Sequence, residues 1–476
     1  MPRSFRDPSG FVVDYRGRIL RAVNSNGVPD LEAFLLTPTA RNAMEAGKLV
    51  RSVRIPPAEV SEAVLHHEYV LEHERIPFPA YPYEWPPEML RAAGNLTLEL
   101  AINALEDGFG LKDATPYNVL FRGPEPVFVD VLSFERRQPC ASVWMAYAQF
   151  VRTILLPLLV NGRSGLPLDR ILLGHRDGLE PEAVYQWAGF WRRLTRPFLS
   201  LVTLPTLFGR GLGEGVSGTW GDASRYHPKP AGSEEQARYV LKGILKKCAR
   251  QLAAVAPDVS RRESRWSGYM DHKSLYTATQ FKEKEDFVAE ALEIAKPRNL
   301  LDVGANEGHF SFIAAGQGAS VVAIDSDPHV VGKIWRHASR RGLDVLPLVV
   351  DLTHPTPAMG WRNQECASFL HRSRGGFDMV MMLAVIHHML VTERVPLEDL
   401  LALISELTRE YALIEFVGPE DPMFQRIVRG REDLYEHLTK AAFEAAAASH
   451  FELVKSTQIN GLHRWLYLFR RLHATG

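Results

Sequence analysis

The sequence predicts an α/β protein: a mostly parallel, seven-stranded sheet in the C-terminal part, preceded by an α+β domain. Three observations predict it. From residue 299 onward, short apolar runs alternate with helical patterns, as strand–helix–strand units require. Three successive runs end on an acid: Asp302 closes Asn299-Leu300-Leu301, Asp325 closes Ser320 to Ile324, and Asp351 closes Leu346 to Val350. The last two runs are joined by Asn460-Gly461, a hairpin signal. Open α/β sheets bind ligands beyond the C-terminal ends of their strands, so the three acids mark a ligand edge.

With 476 residues the chain exceeds one typical core. Three segments are expected: 1–204, 205–265 and 266–476. The first opens with a hairpin, Phe11-Val12-Val13, a turn at Arg16-Gly17, then Ile19 to Val23. Helical patterns follow at Leu31 to Leu36 and Glu59 to Glu74. After the aromatic, proline-rich strip Ile76 to Pro87 comes a helix over Met89 to Leu105. Two short β runs, Val119 to Phe121 and Val127 to Val129, precede further helices. The stretch from Leu204 to Ser233 is rich in Gly and Pro and reads as a boundary or a loop over a site. A basic amphipathic helix is expected over 234–255, bridging the halves. In the last segment a helix over Asp286 to Ala295 leads into strands near Leu300, Val321, Leu346, Met379, Ala412, Glu452 and Trp465.

Composition narrows the function. The chain is 46% hydrophobic and 23% charged with net charge −1, so nothing global points to nucleic acid. The most apolar stretch, Val143 to Val160, carries Gln149, Arg152 and Pro157 and reads as a buried helix, not a membrane span. Cys140, Cys248 and Cys366 have no metal-ligand spacing and suit a reducing compartment. The first ten residues are polar. A cytoplasmic protein with neither nucleic-acid nor membrane partners is expected, its oligomeric state open.

The segment Asp302 to Ser311, DVGANEGHFS, carries the cofactor reading. Gly304 and Gly308 are spaced G-x-x-x-G, without the closely set glycines that cradle a pyrophosphate. Asp302 at the strand end would repel such a group and suits a positively charged ligand. S-adenosylmethionine carries an ammonium and a sulfonium. Asp325 is spaced to accept both ribose hydroxyls, and Asp351-Leu352 to flank the adenine. Asn306 sits within the turn. Tyr269, Tyr276 and Lys284 precede the first strand, where a hydroxyl or ammonium could reach the methionine carboxylate; for each one singly, packing is the competing role.

Phe377 to His388, FDMVMMLAVIHH, places His387 and His388 just past the fourth strand. Methyl transfer is an in-line displacement in which the protein aligns the acceptor and excludes water. An acceptor O–H or N–H also benefits from a base, and either histidine could serve. Glu415 ends the fifth strand on the same edge and could orient an acceptor or pair with Arg426 or Arg429.

The glycine turn and strand-end acids resemble class I S-adenosylmethionine-dependent methyltransferases, implying a Rossmann-like sheet. Leu111 to Glu135 resembles the catalytic loop of protein-kinase-like and aminoglycoside-phosphotransferase-like folds. There Asp113 would be the base, with Asn118 and Asp130 as magnesium ligands for Mg-ATP. The glycine-rich phosphate loop and the upstream lysine of kinases are missing, so the resemblance implies a substrate-recognising lobe before an active kinase. Over nearly its whole length the chain resembles a bacterial family of two-part, nodulation-protein-like methyltransferases. The matching pieces are YPYEW (Tyr81 to Trp85), LKDATPYN (Leu111 to Asn118), VFVDVLSFE (Val127 to Glu135), DVGANEGHFS, LAVIHHM (Leu383 to Met389), IEFV (Ile414 to Val417) and RWLYLFRR (Arg464 to Arg471). The resemblance implies methyl transfer to a small-molecule, saccharide-like or natural-product acceptor. A bifunctional kinase–methyltransferase and a non-catalytic cofactor-binding adaptor are the alternatives.

Overall fold

The computed structural model describes residues 7–56, 67, 69–213, 230–256 and 276–472. The chain divides into two compact units, residues 1–121 with 126–260, and residues 122–125 with 261–476.

The C-terminal unit is built on seven strands: β1 (Asn299–Val303), β2 (Ser320–Asp325), β3 (Val345–Val349), β4 (Phe377–Met382), β5 (Thr408–Val417), β6 (Phe451–Gln458) and β7 (Arg464–Arg471). Their order is β3-β2-β1-β4-β5-β7-β6. Strands β1 to β5 run parallel, while β7 pairs antiparallel with both β5 and β6. This is the mostly parallel sheet with a terminal antiparallel pair that the sequence predicts. Parallel strands covered on both faces read as continuous apolar runs, which is why β1, β2 and β4 were legible. Pro347 is tolerated because β3 is an edge strand, where a missing amide breaks no inner ladder.

Helix α1 (Ala278–Ala295) begins eight residues before the expected Asp286, because Thr277 caps it and Gln280 closes a reciprocal capping box. Helix α2 (His309–Gly316) follows β1, and α3 (Pro328–Arg341) follows β2 with Asp327 as its cap. Leu300, Val321, Ala323, Met381, Leu413 and Leu468 lie in one core between sheet and helices. The sheet reverses direction of progression between β1 and β4, the point where ligands bind in such sheets.

In the N-terminal unit Gly10–Tyr15, Arg18–Val23, Tyr69–His73 and Ser52–Ile55 form an antiparallel sheet in that order. Arg16 (φ 50°) and Gly17 (φ 81°) make the expected hairpin turn, which needs positive φ at both positions. The helix expected over Glu59 to Glu74 is corrected at its C-terminal end. Tyr69–His73 is a strand, paired on both edges, and its successive residues Tyr69, Val70 and Leu71 are all buried, as a central strand covered on both faces allows. Residues 59–66 and 68 of that stretch lie outside the described residues.

Helix Pro87–Glu106 matches expectation, and Val143 to Val160 contributes a buried helical stretch. Among the described residues no helix is long and apolar enough to cross a membrane. Leu204–Gly213, within the Gly/Pro-rich segment, is helical. Helix Glu234–Ala254 packs within the first unit, where Leu252 meets Gly94 so closely that an added Cβ would lie 3.0 Å from it.

Candidate active site

The C-terminal ends of β1, β2 and β4 open onto a cavity of about 490 Å³, a size that suits a cofactor-sized ligand. Asp302, Gly304, Asn306, Asp325, Asp351, Leu352 and Lys284 line it, all named from sequence as cofactor contacts. Gly308 is not part of the wall; it stands behind it as the N-cap of α2, with φ 83°. Tyr269 lies outside the described residues.

The turn after β1 is held from two sides. The amides of Gly304 and Ala305 donate to the Ile324 carbonyl at 2.9 and 3.0 Å. The Asn306 amide donates to Asp325 Oδ2 at 2.9 Å. Gly304 (φ 71°) is obligatory in physical terms: a Cβ there would stand 2.8 Å from Val385 Cγ2, besides being strained.

The acids differ in environment. Asp302 is 3% exposed and accepts from Ser311 Oγ at 2.5 Å. Burial pushes its carboxyl up to about 7. Burial likewise raises Asp325 to about 6, against amide donors at Asp327 and Asn306. An acid held this way gains from a cation brought beside it, and the Gly304 turn offers the close backbone approach. Both features fit S-adenosylmethionine. At Asp351 burial acts upward, but Thr353 (2.9 Å to its amide, 2.5 Å to its hydroxyl) and His354 outweigh it and hold the carboxyl below the usual range.

Of the three residues read as catalytic, only His388 lines the cavity. His387 packs behind it, ring centroids 4.3 Å apart, and is 2% exposed with Nδ1 unpartnered among the described residues. Burial lowers both histidines, with Arg464 adding to it at each and His388 also acting on His387, so both are neutral near neutral pH. Glu415 is wholly buried. Burial acts to raise it, but Lys284, Arg464 and hydrogen bonds hold it below the ordinary carboxylate range. It pairs with Lys284 and Arg464, not with Arg426 or Arg429 as the sequence suggested. Sequence reasoning missed Arg464 and Asp421, and it weighed Tyr276 between a cofactor contact and packing without seeing its bond to Glu415. The one available signal was an arginine opening a strand that is otherwise buried.

In the N-terminal unit Arg21 Nη1 lies 2.7 Å from Asp130 Oδ1, and Arg21 Nε donates to His73 Nε2 at 3.0 Å. Ser133 Oγ donates to Asp130 Oδ2 at 2.5 Å, and Asn118 Nδ2 donates to Ser133 Oγ at 3.1 Å. Asp113 stands close enough that burial and the Asp130 charge raise its carboxyl. Asn118 and Asp130 are thus joined through Ser133, with Asp113 near enough to feel the Asp130 charge. However, among the described residues no group of three His, Cys, Asp or Glu is placed to hold a metal.

Residues 276–466, which include most of the sheet, the strand-end acids and the glycine turn, match a family described as a methyltransferase domain. The chain is an S-adenosylmethionine-dependent methyltransferase. It is 30% identical to nodulation protein NoeA of Rhizobium meliloti (strain 1021), over 98% of this chain and 95% of NoeA. It belongs to the family of NoeA. Among solved structures it is similar to N-methyltransferase NodS from Bradyrhizobium japonicum WM9 (14% identity, 41% of this chain and 98% of NodS, TM-score 0.31). It is also similar to the bifunctional kinase-methyltransferase WbdD (20% identity, 42% of this chain and 41% of WbdD, TM-score 0.30).

Proposed function

We propose that the C-terminal unit transfers a methyl group from S-adenosylmethionine to a small-molecule or saccharide-like acceptor, and that His388 is the base. The observation carrying this reading is the convergence of Asp302, Asp325, Asp351 and His388 on one cavity. Asp302 receives the amino-acid ammonium, Asp325 the ribose hydroxyls, and Asp351 with Leu352 the adenine. The bound cofactor supplies an activated methyl on a sulfonium with a neutral thioether leaving group. The neutral imidazole of His388 takes the acceptor's proton as the new bond forms. His387 keeps the ring of His388 in place by packing. The apolar wall of Leu383, Val385 and Met389 excludes water from the transfer.

The N-terminal unit acts in this reading as a kinase-like, substrate-recognising lobe. Asp130 and Asn118, the would-be magnesium ligands, are engaged by Arg21 and Ser133, which disfavours Mg-ATP. The test is incubation with methyl-labelled S-adenosylmethionine and a panel of hydroxylated saccharides and small natural products. Label transfer that falls in His388→Ala supports the reading. Transfer undiminished in that variant removes His388 as the base.

A further inference from the structure

Two of the sequence motifs are not used by the glycine turn: IEFV at the end of β5 and RWLYLFRR along β7. The antiparallel pairing puts Val417 opposite Arg464, so Glu415, two residues back, shares a face with Arg464. The structure joins their charges. The Arg464 fork grips Asp421 through Nε at 2.7 Å and Nη2 at 3.1 Å. Its Nη1 donates to the Tyr276 hydroxyl and lies 3.5 Å from Glu415 Oε1. The Tyr276 hydroxyl in turn donates to Glu415 Oε1 at 2.6 Å. Lys284 Nζ lies 2.6 Å from Glu415 Oε2.

Glu415, Asp421, Arg464 and Lys284 are 0%, 1%, 2% and 4% exposed. Four charges at that depth persist only when paired and fixed in geometry. Two cations and two anions balance, and the chain of contacts ends on two groups that line the cavity, Tyr276 and Lys284. Asp302 lies on the same wall, within reach of the Lys284 charge. A zwitterionic tail therefore meets an acid at one point and the Lys284 ammonium at another, while the Tyr276 hydroxyl spends its one proton on Glu415.

We propose that Glu415, Tyr276, Arg464 and Asp421 are positioning residues that hold the Lys284 ammonium to receive the carboxylate of the cofactor's amino-acid tail. The site would thereby select ligands that carry this tail. The proposal rests on the cavity being the cofactor site. A free lysine is a flexible point charge; Glu415 removes that freedom by clamping the ammonium. Glu415 acts here through its partners and touches no reacting atom.

The test is titration calorimetry of the full chain with two ligands. S-adenosylhomocysteine has the amino-acid tail, and 5′-methylthioadenosine lacks it. Tyr276→Phe and Glu415→Gln should weaken S-adenosylhomocysteine about tenfold or more, the size of a lost bond to a charged group. Affinity for methylthioadenosine should stay unchanged. Arg464→Lys, which keeps charge but loses the fork, should resemble them. Tyr276→Phe keeps the ring and so tests the idea even if Glu415→Gln fails to fold. Equal weakening of both ligands, or of neither, overturns the network while leaving the cavity reading intact. Failure of the wild type to bind either ligand overturns both.

Discussion

The backbone amide of Asn306 donates to the carboxylate of Asp325 at 2.9 Å, tying the turn after β1 to the end of β2. One acid thus shapes the cofactor turn and presents its remaining acceptor capacity to the cavity. Asp325→Ala should weaken S-adenosylhomocysteine by about 100-fold, since two hydroxyl bonds to a charged acceptor are lost. Calorimetry reads this, and an unchanged circular dichroism spectrum excludes unfolding.

Gly304→Val should abolish cofactor binding. Its side chain would collide with Val385 and force a branched residue to φ 71°. The N-terminal unit should remain folded, which limited proteolysis can follow. A Gly304→Val variant that binds with wild-type affinity would mean the turn does not approach the cofactor.

The buried acids make cofactor affinity depend on pH. Asp302 titrates at about 7 and Asp325 at about 6 in the folded chain, above their ordinary values. Their raised values favour folding most at low pH, and that contribution is lost as pH rises through about 6 to about 7. A bound ammonium reverses the penalty on Asp302 by stabilising its charged form. Affinity should therefore rise as pH increases across the same window, with proton release on binding. Calorimetry in buffers of different ionisation enthalpy measures that release; uptake of protons would contradict the assignment.

His388→Ala should lower kcat about 100-fold or more, with a much smaller effect on cofactor affinity. The base works neutral, and burial holds its pKa below the ordinary histidine value. The acid limb of the kcat profile should accordingly lie below about 6.5 and vanish in the variant. His387→Ala should act mainly on stability, because its ring is buried and outside the cavity.

The five parallel strands of the C-terminal unit were legible because they are largely buried and separated by helical patterns, whereas the mostly exposed β6 was legible through the Asn460-Gly461 hairpin signal. The acids Asp302, Asp325 and Asp351 were legible because strand ends fix their location. The Glu415 network was not, since Tyr276 lies 139 residues from Glu415 and 188 from Arg464 in sequence. Such pairings depend on β5–β7 register, which no local pattern reports. Tyr69–His73 was misread because a five-residue run with three apolar side chains, Tyr69, Val70 and Leu71, suits either period until the neighbouring strands are known.

The most direct measurement is calorimetric titration of the full chain with S-adenosylmethionine and, separately, with Mg-ATP. The account predicts saturable binding of S-adenosylmethionine that is lost in Gly304→Val and Asp325→Ala, with no heat from Mg-ATP. Binding of Mg-ATP alone, lost in Asp130→Ala, would contradict it and move the chemistry to Asp113, Asn118 and Asp130.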